Sequence, residues 1–252
     1  GSFAERLVGS LDDCLGVLVT GAAEEPVRIE LEGGDARVEP ARTWGKDTAE
    51  TAEAYPGAGV ACIGPAGEHG VAYATIASDG GDHHAGRGGA GAVMGAKGLK
   101  AFVARDRPVE APPGLAELRE RYADAHERDA NGRWLAAGGT IETVDFANEV
   151  GILATEGWQR TRFEGTDDVG IEAAMEAASG RERGSEAVPG DFRIDAGEDE
   201  TVPRGAVPIT LGAGLGIDEF GAVAELGAVC DRLGLDVIGV GNAVAWAIRA
   251  GE

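Results

Sequence analysis

Basic side chains, and lysine above all, are scarce in this sequence. Its 252 residues include 22 Lys and Arg against 44 Asp and Glu, for a formal net charge of −22, and its only lysines are Lys46, Lys97 and Lys100. Such a polyanion is repelled by nucleic acid and by anionic membrane surfaces, so we expect neither as a partner. Because the hydrophobic fraction is still 43%, the composition favours a folded halophilic protein. Molar salt would screen the repulsion between its acidic side chains beyond about 3 Å. An acidic protein of a GC-rich organism is the alternative.

Cysteine is also rare, and long apolar runs are absent. Cys14, Cys62 and Cys230 are odd in number and far apart, which argues against a disulfide framework. No C-x-x-C pair is present, so the sequence offers no local site for zinc or for an iron–sulfur cluster. Residues 1–5 lack a signal-peptide pattern, and no apolar run approaches the length of a membrane span. We therefore expect a cytoplasmic protein with reduced thiols.

The first part of the chain has a strand-rich pattern. We expect strands over residues 15–20, 27–31, 36–39, 59–63, 71–76 and 99–104. The turn at residues 33–35 predicts that the second and third of these form a hairpin, and short helices are expected over residues 3–8 and 47–55. Pro108, Pro112 and Pro113 then mark a boundary.

The second part changes to a helical pattern. Apolar residues from Leu115 to Ala125 recur at three- and four-residue spacing, which predicts a helix. Asp218 can cap a later helix that ends at Gly234, and Asp236 can begin the last one. Residues 163–204 are polar and are expected to be mostly loop, with one short helix over residues 170–179. The predicted fold class is α+β, with a β-rich domain over residues 1–108 and a mainly α-helical domain over residues 109–252.

A glycine-rich run over residues 85–101 is the most informative stretch of the chain. The run contains six glycines together with Arg87, and the expected strand at residues 99–104 follows at once. Glycines let backbone N–H groups approach a ligand closely, and N–H groups beside a guanidinium bind phosphate-like oxygens. The run therefore predicts anion binding, most simply of a phosphorylated cofactor. A glycine-rich turn packed tightly in the core is the alternative.

The exact strings resemble those of the aldehyde ferredoxin oxidoreductase family. Residues 63–68 read I-G-P-A-G-E, and residues 85–101 differ from the family's pterin-binding string chiefly at Ala96, where the family has serine. Residues 231–236 read D-R-L-G-L-D, which is similar to the family's D-x-x-G-L-D pterin motif. The resemblance runs from about residue 3 to the end and is weakest between residues 163 and 215. Since the family begins earlier and continues further, we expect a fragment or a shortened relative, of haloarchaeal origin.

The resemblance implies a tungsten or molybdenum bis-pterin cofactor that oxidises a small aldehyde to a carboxylic acid. It also implies ferredoxin as the electron acceptor and leaves a homodimer open. The family's β-rich domain would bind the pterin, with cofactor contacts from the two motifs: His83, His84, Gly86, Arg87, Gly88, Gly89, Asp231, Gly234, Leu235 and Asp236. From spacing alone, Asp236 could simply cap a helix and Asp231 could lie on the surface. No catalytic or metal-ligating residue is assigned.

Three departures from the family pattern bear on activity. The family's C-x-x-C-x-x-x-C run corresponds to residues 185–192, where Val188 and Phe192 replace cysteines, so we expect no [4Fe-4S] cluster in this chain. The family's glutamate beside the metal corresponds to Ala206, whose methyl group cannot act as a general base. The family's E-x-x-H motif is half present, as Glu225 followed by Ala228. A degenerate paralogue or fragment, which binds pterin or a partner subunit without redox turnover, is therefore the alternative to an active oxidoreductase.

Overall fold

The structure, a computed structural model, describes residues 2–12, 14–110, 112–129, 138–181, 191–197 and 199–251. The chain divides into two compact units. The first contains Gly1–Glu110 together with Cys230–Asp236, and the second contains Ala111–Val229 and Val237–Glu252. The D-R-L-G-L-D motif therefore belongs to the first unit, whereas the sequence prediction had assigned it to the helical domain.

The first unit is built on a six-stranded mixed sheet. Its strands are β1 Val27–Glu32, β2 Asp35–Pro40, β3 Gly59–Cys62, β4 Ile76–Ser78, β5 His83–Ala85 and β6 Leu99–Ala104. The order across the sheet is β2-β1-β6-β3-β4-β5, with β1 and β6 parallel and the other neighbours antiparallel. The predicted hairpin is confirmed as β1 and β2. The fold is mixed α+β with a strand-rich first unit, as the sequence predicted.

Among the described residues, four short helices accompany this sheet. They are α1 Phe3–Leu11, α2 Thr48–Glu53, α3 Pro65–Glu68 and α4 Ala90–Ala96, with a 3₁₀ turn at Asp79–Gly81. Helix α2 begins with a capping box, in which Asp47 accepts the N–H of Glu50 and Glu50 accepts the N–H of Asp47. Apolar residues of the sheet and helices form two buried clusters, one around Leu31 and Ile63 and the other around Cys62 and Val103.

Two strand predictions for the first unit are wrong. Residues 15–20 form no strand; Leu15 and Leu18 are exposed, so the apolar run is not used for a sheet. Residues 71–74 form a turn, and β4 begins only at Ile76. Strand β5 was not predicted, since a three-residue strand that reads His-His-Ala has no apolar alternation. It forms because β4 offers it an antiparallel edge.

The described part of the second unit is mainly helical. Its helices are α5 Leu115–Arg128, α6 Glu142–Val150, α7 Ile171–Ala177, α8 Phe220–Leu233 and α9 Val237–Ala250. A 3₁₀ turn lies at Gly139–Ile141 and a π-helical segment at Pro208–Ala213. The last residues of α8 belong to the first unit. Glu219, rather than the predicted Asp218, caps α8 by accepting the N–H groups of Gly221 and Ala222. None of the described helices is long and apolar enough to cross a membrane.

The second unit also contains a small antiparallel sheet that was expected to be loop. Its strands are β7 Ala178–Arg181, β8 Phe192–Ala196 and β9 Asp199–Thr201. Phe192, Ile194 and Ala196 alternate towards a buried cluster that includes Phe220 and Ala224 of α8. The alternation F-R-I-D-A carried this signal, but the polar composition around it outweighed five residues of pattern. The predicted short helix at residues 170–179 is confirmed as α7.

Candidate cofactor-binding site

Glycines of the glycine-rich run at residues 85–101 serve two different purposes. A Cβ at Gly95 would lie 1.9 Å from the carbonyl oxygen of Gly67, and a Cβ at Gly91 would lie 2.4 Å from that of Thr75. No other residue type fits these positions without a shift of the backbone, since α4 packs this closely on α3 and on the chain before β4. The packing explanation left open by the sequence therefore holds for Gly91 and Gly95.

Gly86, Gly88 and Gly89 lie in a loop at residues 86–89, between β5 and α4, which we call the glycine loop. Gly86, Arg87 and Gly88 are exposed, and no described residue lies within 4 Å of a Cβ placed on Gly88. Among described residues, no oxygen accepts a hydrogen bond from the N–H groups of these three. The loop thus presents backbone donors and a guanidinium to solvent, which is the donor set of an anion site.

The backbone of the glycine loop is strained at Arg87. Its φ is +64°, in the left-handed region that non-glycine residues seldom occupy. Gly89 follows at +67°, where a Cβ would also lie 2.7 Å from the carbonyl oxygen of Ala72. A strained residue of this kind costs about 1 kcal/mol or more and is often found at functional sites.

The D-R-L-G-L-D motif ends helix α8 in a Schellman turn. Leu235 donates its N–H to the carbonyl of Cys230 at 2.9 Å, Gly234 donates to that of Asp231 at 3.1 Å, and Gly234 has a φ of +73°. A Cβ on Gly234 would also lie 2.9 Å from the nitrogen of Gly64. The motif's glycine is therefore required both by its dihedral angle and by close packing on the I-G-P-A-G-E segment.

Backbone hydrogen bonds dock this motif beside the glycine loop. Thr75 donates its N–H to the carbonyl of Gly234 at 2.8 Å, and Asp236 donates its own to that of Tyr73 at 3.1 Å. Leu235 forms an antiparallel bridge with Ala74 between these two bonds. Residues 73–75 run directly into β4, so the sheet itself positions the motif.

Side chains from the two predicted segments meet at His84. Its Nε2 lies 3.2 Å from Oδ1 of Asp231, and its Nδ1 lies 2.6 Å from Oγ1 of Thr75. A Cβ on Gly86 would lie 3.5 Å from Oδ1 of Asp236, so the glycine loop also passes beside the second carboxylate. The structure therefore brings His84, Gly86, Asp231 and Asp236 together, with Arg87 next in the loop.

His83 does not share this arrangement. Its neighbour His84 lies on the other face of β5, as successive residues of a strand must. His83 Nδ1 lies 3.6 Å from Oδ2 of Asp79, away from the D-R-L-G-L-D motif, and its side chain is 36% exposed. The sequence had treated the two histidines as one cofactor-contact segment, and the structure separates them.

Thr75 is the residue of this site that sequence reasoning missed. It is fully buried, its hydroxyl contacts His84, its N–H contacts Gly234, and its methyl group would lie 3.2 Å from a Cβ on Gly86. It lies in neither motif, and no local pattern marks it. Only the folded chain shows that Thr75 contacts β5, the glycine loop and the D-R-L-G-L-D motif.

The cysteines are poorly suited to hold a metal. Cys62 and Cys230 are buried, and burial raises the pKa of each thiol to about 12, so both stay protonated at neutral pH. Cys14 is exposed. Within the described ranges, no group of three or more His, Cys, Asp or Glu side chains is placed to hold a metal ion.

Where the structure describes them, the positions that the resemblance assigns to the family's cluster and metal residues have ordinary structural surroundings. Val188 lies outside the described residues, and Phe192 is buried in β8 with the guanidinium of Arg181 4.1 Å from its ring centre. Ala206 is half-buried, and its carbonyl accepts the Thr210 hydroxyl at 2.7 Å. Glu225 is exposed on α8 and lies on the solvated surface of that helix.

The second unit has a cavity of its own, of about 250 Å³ and lined mainly by apolar side chains. Trp158 lies at its edge with a φ of +67° and donates its indole N–H to Oδ1 of Asn242 at 3.0 Å. Asn242 in turn donates to the carbonyl of Ile238, and the hydroxyl of Thr210 is bonded to two carbonyls. The polar side chains of the lining thus already have protein partners.

Comparison with known proteins places both units in one family. Residues 1–106 match the model of the aldehyde ferredoxin oxidoreductase N-terminal domain, and residues 116–252 match that of aldehyde ferredoxin oxidoreductase domains 2 and 3. The tungsten-containing aldehyde ferredoxin oxidoreductases of Pyrococcus abyssi and Pyrococcus furiosus are each 32% identical over 252 residues, which is 94% of this chain and 41% of theirs. The chain thus spans about two fifths of their length.

A solved structure shares the fold. The active-site complex BamBC of benzoyl coenzyme A reductase, bound to 1,5-dienoyl-CoA, superposes with a TM-score of 0.72 at 25% sequence identity. The match covers 91% of this chain and 38% of that one.

Proposed function

This chain belongs to the aldehyde ferredoxin oxidoreductase family, and we propose that it supplies a pterin-binding site of a tungsten- or molybdenum-dependent aldehyde oxidoreductase. The observation that carries the proposal is the contact of His84 with Asp231, which joins β5, directly before the glycine loop, to the D-R-L-G-L-D motif. Two segments far apart in sequence thereby form one site in the first unit.

The residues of this site fit a pterin cofactor. Such a cofactor carries a phosphate at one end and a ring rich in N–H donors at the other. The glycine loop offers N–H groups and Arg87 to the phosphate, and Asp231 and Asp236 offer acceptors to the ring in bidentate fashion. The glycine loop passes beside the second carboxylate, since a Cβ on Gly86 would lie 3.5 Å from Oδ1 of Asp236. When bound, the pterin-held metal would supply transfer of a water-derived oxygen to the aldehyde and uptake of its two electrons.

We further propose that this chain binds no [4Fe-4S] cluster. An iron–sulfur cluster needs several converging thiolates, and two of the three cysteines are buried thiols whose pKa is raised to about 12. If the protein does turn over, electrons would reach ferredoxin through a cluster whose thiolate ligands come from outside these 252 residues.

A non-catalytic pterin-binding protein is the second candidate. Ala206 favours it, because the family's metal-side glutamate has no counterpart at that position. The two candidates share the cofactor site and differ in turnover alone.

Metal analysis with an activity assay separates these proposals. The whole protein as made in the cell would be purified without oxygen, and its tungsten, molybdenum and pterin measured per chain. Reduction of an artificial electron acceptor by short aldehydes would then be followed. Metal and pterin with aldehyde-dependent reduction support the oxidoreductase, and metal and pterin without reduction support the second candidate. A protein with neither contradicts both.

A further inference from the structure

We propose that the cavity of the second unit is a binding site for a small neutral carbonyl compound with an aromatic or branched apolar part. Every described residue that lines it belongs to the second unit, and its volume is about 250 Å³. Since a cavity of about 150 Å³ already holds benzene, this one has room for a ring and a few further atoms. Its apolar lining includes Ile152, Leu153, Ile209, Ile238 and Ala245.

Hydrogen bonds join the walls of this cavity to one another. Glu156 and Gly157 donate their N–H groups to the carbonyls of Ala213 and Gly214, at 2.9 and 2.8 Å, which ties the turn at residues 156–158 to the end of the π-helical segment. Within that segment, the Thr210 hydroxyl lies 3.2 Å from the carbonyl oxygen of the first residue of α9. The cavity is therefore formed before any ligand enters, as small-molecule sites usually are.

Two walls of the cavity have unusual backbone. Glu156, Gly157 and Trp158 have φ values of +48°, +62° and +67°, and this left-handed region is rare for a side chain as bulky as that of tryptophan. Another wall contains the π-helical segment Pro208–Ala213, and π-helical turns are frequent at functional sites. Because strained residues also cluster at ligand sites, both features favour a binding site over an accidental void.

Asn242 offers this cavity one hydrogen-bond donor. The indole N–H of Trp158 can only donate, so the Asn242 atom that lies 3.0 Å from it must be the amide oxygen. The amide nitrogen then carries two hydrogens, and among the described residues only the carbonyl of Ile238 accepts one of them, at 2.8 Å. Since Asn242 lines the cavity, its second hydrogen is available to the carbonyl oxygen of a ligand.

The lining favours a neutral ligand over an acid. No Lys, Arg or His is among the described residues of the lining, so a carboxylate would lose its hydration there without gaining a cation. Arg249 lines only an adjoining cavity, and its guanidinium donates to the carbonyl of Gly157 at 3.4 Å. The net charge of −22 adds long-range repulsion of anions.

Fluorine NMR on the whole protein as made in the cell tests the proposal. The probe is 4-fluoroacetophenone, a ketone that lacks the hydrogen lost when an aldehyde is oxidised, so it should stay intact during the titration. We expect it to bind roughly 5-fold more tightly than 4-fluorotoluene, which has no acceptor, because this is the usual scale of one neutral hydrogen bond. The anion 4-fluorobenzoate should bind roughly 10-fold or more weakly than the ketone.

Two kinds of variant locate the bound probe. Ala154→Leu and Ala147→Leu each fill part of the cavity and should weaken binding of both neutral probes roughly 10-fold, whereas Ala177→Leu, at an exposed position of α7 outside the lining, should match the wild type. Asn242→Leu removes the donor and should abolish the preference for the ketone over 4-fluorotoluene. This ratio does not depend on whether the filled variants fold.

The outcomes that overturn the proposal are distinct from those that overturn the pterin site. Absence of ketone binding would mean that other polypeptide or water fills the cavity of the whole protein. Equal binding of 4-fluorobenzoate, or a ketone preference that persists in Asn242→Leu, would also contradict the assignment. Because the cavity lies in the second unit and the pterin site in the first, a protein that binds the ketone but carries no pterin contradicts the proposed function alone.

Discussion

Lys100 and Glu68 form an ion pair in the interior of the first unit. The Nζ atom of Lys100 lies 2.5 Å from Oε1 of Glu68 and 2.6 Å from the carbonyl oxygen of Lys46, and Lys100 is fully buried. Glu68 also accepts the N–H of Gly45 with both oxygens, at 3.0 and 2.9 Å. The two charges thus satisfy one another and nearby backbone groups, which is the condition under which buried ions are tolerated.

Both residues belong to the strings on which the family resemblance rests. Glu68 ends I-G-P-A-G-E, and Lys100 lies in the L-K-A that follows the glycine run. Their surroundings show that these two positions hold the sheet to the loop at residues 45–46 and do not face the glycine loop. The strings therefore combine ligand-facing residues with residues that support the fold.

We predict that Lys100→Met destabilises the first unit strongly. It leaves the Glu68 carboxylate buried without its cation, and removal of one partner from a buried pair costs about 3–5 kcal/mol. Chemical denaturation gives the free energy of unfolding. Lys46→Met is the matched control, because its pair with Glu50 is exposed to solvent and should contribute little to stability. Equal losses in the two variants would contradict a special role for Lys100.

The sequence predicted those parts of the fold that local pattern determines. Residues 27–31 alternate between apolar and charged side chains, and residues 99–104 are apolar except for Lys100; both segments are present, as β1 and β6. The apolar residues 15–20 misled the prediction, because composition alone does not say whether a strand finds a partner. Strand β5 was missed for the converse reason, since it forms on the edge that β4 provides.

The site was predictable only as far as its two motifs. The strings named the glycine loop and Asp231, but not which glycines face a ligand and which serve packing. That distinction rests on distances from Gly91 and Gly95 to other elements, which are tertiary facts. Thr75 could not be found for the same reason, as its partners are 9 and 159 residues away in sequence.

We predict that Arg87 contributes to cofactor retention and not to stability. Arg87→Gly removes the guanidinium and also relieves the left-handed strain at φ +64°. Retained pterin should fall roughly 10-fold, the scale of a lost charge-assisted hydrogen bond, while the melting temperature holds or rises. Arg37→Gly, on an exposed residue of β2 paired with Glu32, controls for loss of positive charge. Wild-type pterin content in Arg87→Gly would count against an anion site in the glycine loop.

We predict that the fold needs salt. The acidic side chains, which give a net charge of −22, repel one another over about 30 Å at roughly 0.01 M salt, but over only about 3 Å at 1 M. Thermal melts from molar potassium chloride down to low salt should show a falling midpoint, with sucrose as a control for non-ionic stabilisation. A midpoint that does not respond to salt would contradict the halophilic interpretation.

We predict that stability falls in alkali because of the buried thiols. Burial raises the pKa of Cys62 and Cys230 from an ordinary value of 9.0 to about 12 in the folded chain. Between these values the unfolded chain binds fewer protons than the native one, so the stabilisation is complete below pH 9 and is lost as pH rises towards 12. Urea unfolding across this window should show a shallower loss in the Cys62→Ala variant. Cys14→Ala, at an exposed thiol, is the control, and an equal slope in all three proteins would refute the assignment.

We predict, finally, that this chain binds no iron–sulfur cluster. Such clusters are normally held by four thiolates, yet the chain has three cysteines in all, and Cys62 and Cys230 are buried thiols with a raised pKa. The protein would be purified without oxygen and assayed for iron and sulfide, with electron paramagnetic resonance after reduction. We expect iron well below one atom per chain, with tungsten or molybdenum retained, because the glycine loop and the D-R-L-G-L-D motif share no residue with the cluster positions. About four irons per chain with a reduced-cluster signal would contradict this and would mean that other polypeptide supplies the thiolates.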